Sequence, residues 1–182
     1  LVLLASCSFV GGLLGLNQIS VDDDSYPLSQ LALEYMGSNG EGGYDIWVNL
    51  LSEDFTWGDS VTGSGEWIAI LIRSPQFSLE GGTYEYSSSA ASDALGGSLV
   101  FVGYNTSTSE YDRFIACDGG KVNVRKTLLG EYVISFDLTG EDLDSAAAVE
   151  VSGHYRGRID EEDDLSASTL APLLRRVAPN TR

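Results

Sequence analysis

The stretch Gly130-Glu131-Tyr132-Val133-Ile134-Ser135-Phe136-Asp137-Leu138 decides the fold class. It sets Tyr132, Ile134, Phe136 and Leu138 on one side and Glu131, Val133, Ser135 and Asp137 on the other. Alternation at a period of two residues is the pattern of a β-strand with one face buried. Upstream, Tyr44, Ile46, Val48 and Leu50 share a face, with Asp45, Trp47 and Asn49 opposite. Downstream, Val149, Val151, Tyr155 and Ile159 oppose Glu150, Ser152, His154, Arg156 and Arg158, and the gaps at Gly153 and Gly157 suit a bulge or close packing.

Further strands are expected at 28–36, 66–73, 83–87, 98–105, 112–117 and 121–126. Trp67 to Ile72 is apolar on both faces, which predicts a central strand covered on each side. Gly, Ser, Asn and Asp punctuate the intervals, and Asp118-Gly119-Gly120 reads as a tight hairpin. Gly-x-Tyr recurs at 82, 130 and 153 with unequal spacing, so it reads as a repeated local device and not as a repeat protein. The expectation is an all-β domain of about nine antiparallel strands, a sandwich or a calycin-like barrel. Residues 28–160 form that domain, 1–27 a signal remnant and linker, and 161–182 a tail that turns from acidic to basic. Leu165, Leu170, Leu173, Leu174 and Val177 suggest a short helix in the tail, with Pro172 near its start.

With 182 residues the chain holds one domain and an end segment, and 43% hydrophobic residues suffice for a core. Against 27 acidic residues stand 10 basic ones, a net charge of −17, which repels phosphate backbones and makes nucleic acid a poor partner. Eighteen aromatic residues (9 Tyr, 6 Phe, 3 Trp) separate it from disordered acidic chains.

The apolar opening Leu1-Val2-Leu3-Leu4-Ala5-Ser6-Cys7 lacks a Met, and reads as the end of a signal core whose charged leader preceded it. Leu4, two small residues and Cys7 resemble the lipobox of bacterial lipoproteins. The resemblance implies cleavage before Cys7, a diacylglycerol on its sulfur and a further acyl chain on its amine. At about 0.8 kcal/mol per buried methylene, two or three chains give lasting attachment where one is marginal. The order of the β motifs from Tyr44 to Ile159, with Leu79 to Tyr84, Gly120 to Val124, Gly130 to Leu138 and Gly153 to Gly157, is also similar to small envelope lipoproteins of Gram-negative bacteria. That resemblance implies an all-β, sandwich-like or calycin-like domain at a membrane surface, and it carries no catalytic residues across.

Gly58-Asp59-Ser60-Val61 resembles the nucleophile block of GDSL-type esterases, but no Asp stands two residues before His154, the single His. Ser60 is read as a turn residue. A lone His makes a poor zinc site, and Asp22 to Asp24 and Asp160 to Asp164 lack the spacing of a Ca²⁺ loop, so no cofactor is expected. With Cys7 acylated, Cys117 has no disulfide partner and is expected to be buried. Asp59-Ser60-Val61 and Asp144-Ser145-Ala146 resemble O-glycosylation acceptors. Trp47 and Trp57 are the candidate ligand-binding residues, able to present a flat platform to a sugar ring or a peptide. The expectation is therefore a non-enzymatic, membrane-anchored β domain of the bacterial envelope, at the outer membrane and facing periplasm or exterior. Its partner is a glycan or a protein; a carbohydrate-binding module is the alternative and a small hydrolase the third reading.

Overall fold

A computed structural model describes residues 17–57, 61–89 and 92–164, the stretch 161–164 as backbone only. The fold is all-β. Eleven strands join in one sheet: β1 (Gln18–Val21), β2 (Asp24–Pro27), β3 (Gln30–Ser38), β4 (Tyr44–Leu51), β5 (Ser64–Ser74), β6 (Gly82–Tyr86), β7 (Ala94–Asn105), β8 (Arg113–Lys126), β9 (Tyr132–Asp142), β10 (Ala147–Gly157) and β11 (Glu161–Asp164). Their order is β11-β3-β4-β5-β7-β6-β8-β9-β10-β1-β2, with β7 also paired to β8. Pairing is antiparallel apart from β11 on β3 and the short β6–β7 contact.

The sheet curls around one core, to which strands at both ends of the order contribute: Leu31 and Leu33 of β3 lie in the same cluster as Ile19 and Val21 of β1 and Tyr155 of β10. Asp160 ties the seam, since its N–H donates to Leu31 O at 2.8 Å and its Oδ2 accepts from Leu31 N at 2.8 Å. The alternations read from the sequence point inward as expected, with Ile46, Val48 and Leu50 matching Ile68, Ile70 and Ile72 across β4 and β5. β5 is the doubly covered strand, burying Ile68, Ile70 and Ile72 inside and Trp67 and Ala69 outside.

Three expectations are corrected. Asp118-Gly119-Gly120 is not a hairpin but a bulge within the 14-residue β8, where register with β9 shifts between Cys117 and Gly119. Before the bulge β8 pairs with β7 and after it with β6, so the bulge is where the sheet turns its corner. Gly120 has φ +100°, and a Cβ there would lie 2.1 Å from Asp137 O. A Gly-Gly pair serves a bulge by the same conformational freedom that serves a hairpin, and only the partner strand distinguishes them.

The segment expected as a linker up to Pro27 is the β1–β2 hairpin, an integral part of the sheet. Ile19 and Val21 are core residues, and Asp22, at φ 53°, makes the turn. Arg113 spans this end, its Nε donating to Asp142 Oδ2 at 3.0 Å and its Nη2 to Asp22 Oδ2 at 3.2 Å. That hydrogen bonding holds the Asp142 carboxyl below its ordinary range. Likewise the expected boundary at residue 160 is passed by β11. The expected helix after Leu165 lies outside the described residues.

Candidate functional site

The outer face of the sheet is of two kinds. Over β4, β5, β7 and the start of β8, outward side chains form a second apolar cluster of Trp47, Trp67, Leu99, Phe101 and Tyr104, on which Phe55 and Val61 of the β4–β5 connection close. Phe101 stacks on Phe114 with ring centroids 4.4 Å apart, and Phe55 meets Trp67 edge-on at 6.3 Å. Polar atoms beneath are satisfied: Trp67 Nε1 donates to Asn49 Oδ1 at 2.9 Å, and Asn49 Nδ2 to Glu34 Oε2 at 3.2 Å.

Trp47 belongs to this covered layer at 6% exposure, so it does not stand proud of the sheet. Trp57 is half-buried and packs on the same cluster. The structure brings the two tryptophans together as parts of one layer, and Trp47 has no face free for a sugar ring. Cys7 and Ser60 lie outside the described residues. Cys117 is buried as expected, and burial pushes its thiol up to about 11, far from a reactive thiolate. Among the described residues no three His, Cys, Asp or Glu side chains are grouped to hold a metal. Two half-buried carboxyls, Asp45 and Glu66, are raised above the ordinary range, chiefly by desolvation. Asp45 pairs in register with Arg73, which lies seven residues along β5 from Glu66. At 3.3 Å per residue these carboxyls are roughly 23 Å apart, too far to share a reaction.

Over β8, β9 and β10 the outer face is polar and bare. Cross-strand partners line up as Asn123, Ser135 and His154, and next to them as Arg125, Val133 and Arg156. His154 is half-buried, and desolvation together with the Arg125 and Arg156 charges lowers its pKa from 6.5. Of the seven Lys and Arg side chains among the described residues, six lie on or just beyond these strands, and five of those, Lys121, Arg125, Lys126, Arg156 and Arg158, fall in the later part of β8 and at the close of β10. The acidic average of the chain therefore conceals a local cluster of basic side chains.

That cluster flanks the β8–β9 turn, Thr127-Leu128-Leu129-Gly130-Glu131. Gly130 N donates to Thr127 O at 3.0 Å, Thr127 N to Glu131 O at 2.8 Å, and Glu131 N to Thr127 Oγ1 at 3.1 Å. Gly130, at φ +78°, supplies the left-handed conformation. Thr127 and Gly130 thus close the turn, which leaves its two central positions to any residue type. Both are leucine, at 107% and 70% exposure. Arg156 links this turn to the start of the sheet. Its Nε and Nη2 reach Glu131 Oε2 at 3.1 and 2.8 Å, its N–H donates to Asn17 Oδ1 at 2.7 Å, and its carbonyl accepts from Asn17 Nδ2 at 3.1 Å. Asn17, immediately ahead of β1, accordingly lies beside this turn. The sequence reading passed over Leu128 and Leu129, although the signal was present: paired leucines inside a turn, after Arg125-Lys126, fit neither a strand face nor turn chemistry.

Comparison with protein-family models, with curated protein sequences and with solved structures finds no match.

Proposed function

We propose that this chain is a lipid-anchored, non-enzymatic β domain of the bacterial cell envelope. The observation that carries the reading is Leu4-Ala5-Ser6-Cys7, four positions that fit the lipobox pattern directly ahead of an all-β body. Ten residues, 8–17, separate Cys7 from Gln18. Fully extended they reach about 35 Å, a tether short enough to keep the domain at the bilayer surface. The role is one of binding or scaffolding at that surface.

Expressing the precursor with its own leader in a Gram-negative host and feeding an alkyne-labelled fatty acid tests the anchor. Label on the wild-type protein and none on Cys7→Ala is the expected result, with an intact mass that shows the acyl groups on Cys7. Equal labelling of both proteins, or a mature protein carrying a bare Cys7 thiol, overturns it.

A further inference from the structure

We infer that the β8–β9 turn is a second, non-covalent membrane contact: Leu128 and Leu129 insert into an anionic phospholipid surface while Arg125, Lys126 and Arg158 meet its headgroups. This deepens the anchored-domain reading and borrows from it only the side on which the chain meets the bilayer.

Four observations converge. Leu128 and Leu129 are the most exposed large apolar side chains among the described residues, and neither the core nor the turn's closure calls for them. A bilayer interior relieves that exposure. The flanking charge has the sign an anionic leaflet attracts, with Lys126 Nζ 5.1 Å from the centroid of the Tyr132 ring and Arg125 and Arg158 exposed. Three acids near the turn have partners of their own: Glu131 pairs with Arg156, Asp160 accepts from the backbone of Leu31, and Glu80 accepts from the hydroxyl of Ser78. Finally, Arg156 holds Asn17, the first described residue, beside the turn, so β1 starts at the end that carries the leucines.

The net charge of −17 opposes this contact only weakly. At physiological ionic strength fields decay over about 8 Å, so acids on the far side of the domain are screened from the surface that the turn touches. Another exposed apolar side chain, Leu143, lies in the β9–β10 turn, at the other end of β9 from Leu128 and Leu129.

The test uses the full chain with Cys7→Ser, so that no acyl chain contributes, and a polarity-sensitive dye on a single introduced cysteine, Leu129→Cys or, at the opposite end, Ser145→Cys. Cys117 is buried and does not compete for the dye. With phosphatidylethanolamine–phosphatidylglycerol vesicles the dye at position 129 is expected to shift to the blue and to be quenched by bromine-labelled acyl chains, while the dye at 145 does neither. In flotation, Leu128→Ser with Leu129→Ser should weaken binding on the order of tenfold or more. Arg125→Ala with Arg158→Ala should weaken it by roughly fivefold per charge, an effect that vanishes on pure phosphatidylcholine. Leu143→Ser should change nothing. Absence of binding, or binding with no shift at 129, or equal shifts at both positions, overturns the proposal. Acylation of Cys7 is read separately by intact mass, so a bare Cys7 with an inserting turn rejects the anchor alone, and an acylated Cys7 with a silent turn rejects the docking alone.

Discussion

The outer faces of β4–β5–β7 and of β8–β9–β10 belong to one sheet and obey the same two-residue alternation, yet one is a dry aromatic layer and the other a bare polar one. The difference lies in what the connections do. The β4–β5 connection folds back, places Phe55 and Val61 on Trp67 and Trp47, and donates Thr56 N to Thr62 O at 2.7 Å to hold its own shape. The β8–β9 connection is a closed five-residue turn that covers nothing, and its leucines are exposed. Apolar residues on the outside of the sheet thus have two different meanings, a satisfied second core or a surface awaiting a partner. Exposure separates them where hydrophobicity does not.

The comparison can be broken hardest at the shared interior. Phe136→Ala removes a ring at 1% exposure that fills the space over Gly153, where a Cβ would lie 2.2 Å from Phe136 Cζ. It should cost about 3–5 kcal/mol, read as a lowered urea midpoint with unchanged slope. Phe55→Ala strips the cover from the outer layer and should cost about 3 kcal/mol, with Trp67 fluorescence moving to the red as water reaches it. A loss below about 1 kcal/mol there would mean that the covered face is not a second core.

The polar seam gives a smaller effect with a pH signature. Arg113→Ala should cost about 1–2 kcal/mol at neutral pH through the lost bonds to Asp142 and Asp22. The native Asp142 pKa lies below its ordinary 3.8. The stabilisation is therefore fully present above pH 3.8 and disappears as pH falls through the native value, where protonation removes the acceptor charge. Wild type and Arg113→Ala should converge in urea midpoint in strong acid; a constant gap would place the effect in packing. The smallest effect belongs to the bare face: Leu128→Ser with Leu129→Ser should alter stability by no more than about 0.5 kcal/mol, because those side chains touch solvent. A larger loss would show that the turn leucines support the fold.

The strands themselves were legible in the residues. Period-two alternation located β4, β9 and β10, the continuous apolar run located β5 as central, and of the two readings of Gly153, bulge or close packing, the structure shows close packing against Phe136. Asp118-Gly119-Gly120 and the Asp22-to-Asp24 run were misread for one reason: turn, bulge and linker draw on the same small or polar residues, and the choice among them is made by a distant partner. Trp47 and Trp57 were read as candidate ligand-binding side chains, but whether the face over Trp47 is covered depends on where the β4–β5 connection travels.

Local sequence pattern alone thus determined the all-β class, the inward and outward sets of β4, β9 and β10 and the lipobox-like Cys7 context, because backbone stereochemistry imposes a two-residue period wherever one face must leave water. Only the tertiary structure decided that 18–27 belongs to the sheet, that Trp47 is covered, and that Arg156 brings Asn17 beside Leu128, Leu129 and a basic cluster. Those outcomes rest on contacts between residues as many as 139 positions apart, whose closeness no local pattern encodes.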